Sequence, residues 1–134
     1  FLTAEFRKLH QWVTFSSATP LQYALADYLK EPAHYLGLSD FYQKKRDLFA
    51  SQFSGTKWKV LPSAGSFFQC LDYSAISNEK DVDLADRLTR EIKVASIPVS
   101  VFFETDPGDK ILRFCFAKED DMLVEAAKRL VQIL

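Results

Sequence analysis

The stretch Ile111-Leu112-Arg113-Phe114-Cys115-Phe116-Ala117 decides how this 134-residue chain is read. Leu112, Phe114 and Phe116 alternate, which is the two-residue period of a strand with one face on a core. A second run, Ser66-Phe67-Phe68-Gln69-Cys70-Leu71-Asp72-Tyr73, reads as a near-continuous apolar strand, expected to be covered on both faces. Trp58–Leu61 reads as a further strand stopped by Pro62, and Val94–Ile97 as another broken by Pro98. Around them the period lengthens. From Ser39 to Gly55, Phe41, Tyr42, Lys45, Leu48, Phe49, Gln52 and Phe53 recur three and four apart, with Gly55 as the stop. Asp81–Lys93 carries Val82, Leu84, Ala85, Leu88 and Ile92 on one stripe, with Asp86 and Arg90 spaced to pair. Acids at Glu119, Asp120 and Asp121 suit the start of a last helix, marked by Met122, Leu123, Ala126, Ala127, Leu130, Val131 and Leu134. This order predicts an α/β (α+β) domain of helices packed on a small mixed sheet.

The first 30-odd residues differ. Thr3–Trp12 has a short helical pattern with Phe6, Leu9 and Val13 on one side, and Thr19-Pro20 is a strong start for a second helix that ends by Pro32. No strand accompanies them, so they are expected to belong to another layer. The chain opens on Phe1 rather than Met, and is expected to be a piece of a longer protein.

Composition narrows the function classes. With 48% hydrophobic residues and twelve Phe, the chain has the apolar content that a disordered segment lacks. Its 17 basic and 18 acidic residues give a net charge of −1 with no basic cluster, which argues against a nucleic-acid partner. No run approaches the roughly 18 apolar residues of a membrane span. Cys70 and Cys115 sit far apart inside apolar runs, a pattern of buried thiols in a reducing compartment. Four glycines make no phosphate loop, and His10 and His34 are too far apart to read as metal ligands. Ser63, Ser66, Ser96 and Ser100 have no recognisable base beside them. Arg113 stands out. Alternation puts it on the face opposite Leu112, Phe114 and Phe116, where a guanidinium needs an anion. Two readings follow: a half-exposed arginine paired with Asp72 or Glu104, or a fork that holds a ligand carboxylate.

Five stretches together resemble the class I/II pyridoxal-phosphate aminotransferases. They are Phe6–Leu29, Asp40-Phe41-Tyr42-Gln43-Lys44-Lys45-Arg46-Asp47, Leu61-Pro62-Ser63-Ala64-Gly65-Ser66-Phe67-Phe68, Ile97-Pro98-Val99-Ser100-Val101-Phe102 and Leu112-Arg113-Phe114-Cys115-Phe116-Ala117-Lys118. Within the family the chain looks most like the methionine and kynurenine–glutamine aminotransferases, and Val99, where many relatives have Gly, points the same way.

The resemblance covers the family's C-terminal third. It implies that residues 1–35 are the end of the large cofactor-binding domain and that residues 36–134 are the small domain with its long linking helix. It implies transfer of an amino group from a methionine-, glutamine- or aromatic-type amino acid to a 2-oxo acid, with pyridoxal 5'-phosphate as cofactor, in a cytoplasmic homodimer. Arg113 matches the arginine that grips the substrate α-carboxylate. Phe15 matches an aromatic that reaches the neighbouring subunit's active site. Gly65 is expected in a turn that needs positive φ. The cofactor's Schiff-base lysine has no counterpart here, so the segment alone is expected to be inactive. The alternative reading is a free-standing amino-acid-binding module without catalysis.

Overall fold

The structure is a computed structural model and describes residues 1–132; the expected helix position Leu134 lies outside them. The chain divides into two compact units, Phe1–Leu38 and Ser39–Leu134.

The first unit consists of helices α1 (Leu2–Thr14), α2 (Thr19–Tyr28) and the single turn α3 (Ala33–Leu36). Ala18, not Thr19, caps α2, and Pro20 lies in its first turn. None of the three helices holds a buried residue, and Phe6, Leu9 and Val13 stand 65%, 69% and 85% exposed. The apolar side of α1 is thus uncovered. His34 stacks on Tyr28 with ring centroids 4.4 Å apart, and His10 lies against Phe6 and the Thr14 hydroxyl.

The second unit is built on the sheet. Helix α4 (Leu38–Ser51) leads to β1 (Lys59–Val60) and β2 (Phe68–Asp72). Helix α5 (Asp81–Arg87) then continues as a π-helical turn at Leu88–Ile92 into β3 (Ile97–Pro98). A 3-10 turn (Ser100–Phe102), β4 (Ile111–Cys115) and α6 (Asp120–Val131) complete the unit. The sheet order is β1-β2-β4-β3, and every neighbouring pair is antiparallel. The α/β reading holds, but the sheet is antiparallel throughout rather than mixed. The α5 crossover makes β2 and β3 parallel to one another, yet β4 lies between them and runs against both.

The period of β4 sets the core. Leu112, Phe114 and Phe116 are at most 3% exposed and pack with Phe49 of α4, Trp58, Leu71 of β2, Leu88 and Leu123 and Leu130 of α6. Burying each such side chain contributes about 1.5–3 kcal/mol. The Trp58 indole N–H donates to the Leu130 carbonyl at 3.0 Å, so the largest ring carries no unpaired donor into the core. Lys45 of α4 is also buried, and its ammonium reaches the Lys118 carbonyl and the Asp120 carboxylate at 2.7 and 2.9 Å.

Four expectations need correction. The second strand is covered on one face: Gln69 and Leu71 are buried, while Phe68, Cys70 and Asp72 are half-buried. The strand expected over Val94–Ile97 is only Ile97–Pro98: Val94–Ser96 are not strand, and Pro98 is its last residue, opposite Leu112, as proline can be on a sheet edge. The helix from Asp81 changes to π at Leu88, although Arg90 and Asp86 do pair, at 2.8 Å. The left-handed residue of the Pro62–Ser66 turn is Ser66 (φ 73°), not Gly65. Its hydroxyl accepts the Phe68 N–H at 3.1 Å, a local bond that helps hold a conformation L-residues avoid.

Tyr73 ends the core face of β2, wholly buried, with its hydroxyl donating to the Glu79 carbonyl at 3.0 Å. Burial first, then the Asp81 and Glu79 carboxylates, push its pKa from 10.0 up to about 12. A raised folded-state pKa stabilises the fold below the unfolded value and loses that contribution as pH rises through the folded one. Urea midpoints should therefore fall between pH 10 and about 12, and Tyr73→Phe should remove that part of the fall.

Candidate functional site

On the sheet face away from this core, Arg113 occupies the centre. In register it lies opposite Cys70 of β2 and Ile97 of β3, with Phe68 opposite Cys115 one step along. Its guanidinium carbon stands 4.3 Å from the Phe68 ring centroid and 4.8 Å from that of Phe102. Both distances are within reach of a cation–π contact. Phe68 arrives from β2 and Phe102 from the 3-10 turn, so a strand and a turn supply the two aromatic contacts.

The hydrogen-bond state of this arginine is the unusual feature. Among the described residues its side chain makes no hydrogen bond and no ion pair. Its Nε is fully buried and without a partner. The other arginines of the unit are all engaged: Arg46 with Asp47, Arg87 with Glu79, Arg90 with Asp86 and Arg129 with Glu125. Neither Asp72 nor Glu104 pairs with Arg113. Asp72 instead accepts the Ser74 N–H at 2.8 Å. A half-buried guanidinium with its donors unspent is costly and has the geometry to clasp a planar anion.

A cavity of about 360 Å³ adjoins the same strand on the side of α4 and α6, lined by Phe49, Phe114, Met122 and Leu123 as well as by Ser96 and Arg113. The Ser96 hydroxyl is buried there without a partner. Cys70 and Cys115 are free thiols, half-buried on the Arg113 face rather than deep in the core. The remaining serines singled out by sequence have structural partners. Ser63 donates to the Phe68 carbonyl, Ser66 accepts from Phe68, and Ser100 donates to the Asp81 carboxylate at 2.7 Å. Among the described residues no three His, Cys, Asp or Glu gather as a metal site. No helix of the described residues is long and apolar enough to cross a membrane.

Phe15 belongs to the first unit. It closes α1 with φ 53° and ψ −80° and is 84% exposed. A bulky residue at positive φ is a rare, strained conformation. Its ring has no burial to account for its place. Sequence reading missed that Phe68 and Phe102 flank Arg113. The aromatic runs Phe67-Phe68 and Val101-Phe102-Phe103 were the available signal, but only the fold brings one residue of each to Arg113.

The family sequence model "Aminotransferase class I and II" matches residues 3–130. The chain therefore belongs to the class I and II aminotransferases. It is 47% identical over 133 residues to a methionine aminotransferase of Escherichia coli, covering 98% of this chain and 34% of that protein. It is 29% identical to a kynurenine–oxoglutarate transaminase of Dictyostelium discoideum, covering 92% of this chain and 34% of the relative. A crystal structure of an E. coli protein with methionine aminotransferase function superposes with a TM-score of 0.88 at 48% identity, over 96% of this chain and 34% of that one. The N-succinyldiaminopimelate aminotransferase structure from Mycobacterium tuberculosis gives 0.87 at 29% identity, over 99% and 35%. The chain thus spans about a third of the length of these relatives.

An arginine with no hydrogen-bond or charge partner among the described residues should contribute little to the fold. Arg113→Met is expected to leave the urea midpoint unchanged or raise it, because it removes an unpaired buried donor while keeping the aliphatic stem. Arg87→Met, which strips Glu79 of its partner, should lower it. A clear loss of stability in Arg113→Met would show that the guanidinium serves the fold.

Proposed function

We propose that the intact protein transfers an amino group from an amino acid to a 2-oxo acid with pyridoxal 5'-phosphate, and that this segment supplies the anchor for the substrate α-carboxylate. The observation that carries the reading is the Arg113 guanidinium: half-buried, flanked by two aromatic rings, and without any anion of its own. A carboxylate presented to it gains two parallel charge-assisted bonds beside two aromatic rings. Holding that end fixed orients the amino group for reaction, which is an entropic contribution to rate.

The described residues suit the carboxylate end and do not suit the cofactor. A lysine that reacts with the cofactor aldehyde must be desolvated and free. Lys45, the one buried lysine among the described residues, has its ammonium committed to Asp120 and the Lys118 carbonyl. Our reading is that the reactive lysine lies outside this segment, that residues 1–35 close the large cofactor-binding domain, and that residues 36–134 form the small one. The kinship with methionine and kynurenine aminotransferases supports methionine-, glutamine- or aromatic-type substrates. We further infer, from the family resemblance, a cytoplasmic homodimer in which Phe15, an exposed aromatic, reaches the neighbouring subunit.

Arg113→Lys keeps the charge but loses the fork. In the full-length protein it should raise KM for the amino acid by at least about tenfold. The segment alone should neither transaminate nor bind pyridoxal phosphate one to one. If the segment by itself binds amino acids tightly, and Arg113→Ala abolishes that binding, the free-standing binding module replaces the enzyme reading.

A further inference from the structure

Asp81 is buried, at 5% exposure, yet it forms no ion pair among the described residues. Its carboxylate is spent on a single neighbour and its own helix. Oδ2 accepts the Ser100 N–H and Oδ1 the Ser100 hydroxyl, both at 2.7 Å, and Oδ1 also accepts the Val82 N–H at 2.9 Å. Ser100 opens the 3-10 turn that carries Phe102. That turn is closed by the Phe102 N–H on the Val99 carbonyl at 3.2 Å and the Phe103 N–H on the Ser100 carbonyl at 3.0 Å. The Val99 N–H in turn reaches the Ile111 carbonyl at 3.4 Å, two residues before Arg113. Val101, Phe102 and Phe103 are all more than half exposed, so no core packing holds the turn in place.

We propose that Asp81 and Ser100 are positioning residues for the carboxylate site, acting through Phe102, whose ring they hold against the Arg113 guanidinium. This rests on the reading of Arg113 as the carboxylate anchor. Two charge-assisted hydrogen bonds from one serine make a strong local clamp. Phe102 stands 4.8 Å from the guanidinium carbon, and its ring limits where the fork can lie and keeps water from one side of it. Without the clamp the exposed ring is free to leave, and the fork loses its orientation while the core stays packed.

The test uses the full-length holoenzyme with methionine as probe. Ser100→Ala should raise KM about tenfold, as expected for losing one bond to a charged group, with kcat within about twofold. Ser100→Thr retains the hydroxyl and should restore KM. In an Arg113→Lys background, Ser100→Ala should add less than about twofold, because both changes act on one contact. Asp81→Asn should behave like Ser100→Ala, and the two serine variants decide the matter if it does not fold. The inference is overturned if Ser100→Ala leaves KM unchanged while Arg113→Lys raises it. It is equally overturned if the serine effect is the same in both backgrounds, as a general loss of structure would give. If Arg113→Lys itself leaves KM unchanged, the fault lies with the anchor reading beneath it.

Discussion

The strict alternation of β4 is the constraint on which the second unit depends. Leu112, Phe114 and Phe116 must enter the core together, because a one-residue slip would expose all three. The same alternation puts Arg113 on the other face. The sheet positions it further, since β4 is the inner strand between β2 and β3 and cannot shift without breaking two ladders. The packing that stabilises the unit thus also holds the one guanidinium of this unit without a counter-charge among the described residues.

That division explains why the two faces of the sheet look different. The core face is closed by α4 and α6, whose contacts include the Trp58 bond to Leu130 and the Lys45 link to Asp120. Its polar groups find partners, as for Gln69, whose amide donates to the Leu61 and Cys70 carbonyls. The opposite face keeps an unsatisfied atom, Arg113 Nε. Unpaired buried groups are rare in folded proteins and cost stability. An unpaired guanidinium nitrogen between two aromatic rings is therefore a feature of this face that packing alone does not account for.

Much of this was legible in the sequence, for physical reasons that differ by element. Period two at Leu112–Phe116 reports burial directly, and period three-to-four at Phe41–Phe53 does so for Lys45, Phe49 and Phe53, while Phe41 stays exposed and α4 closes at Ser51. The pairing of strands was not legible, because alternation says which face is buried but not which neighbour lies alongside; hence the expected mixed sheet and the observed antiparallel one. The turn at Gly65-Ser66 misled because glycine tolerates positive φ without requiring it, whereas the Ser66 hydroxyl bond is a product of the folded loop. Arg113 was visible as an odd residue in an apolar run. That it lacks an acid could only be seen once Asp72 and the other carboxylates had been placed. The first unit gave the reverse case, with helices readable from Thr19-Pro20 and the α1 stripe but an apolar face left uncovered.

The central claim is that Arg113 is unpaired because a substrate carboxylate completes it. The most direct measurement is a crystal structure of the full-length protein with a bound amino-acid substrate analogue. The account predicts both carboxylate oxygens within about 2.7–2.9 Å of the Arg113 guanidinium nitrogens, with the Phe68 and Phe102 rings still against it. An analogue whose carboxylate is held elsewhere, with Arg113 left facing only those rings, would contradict it.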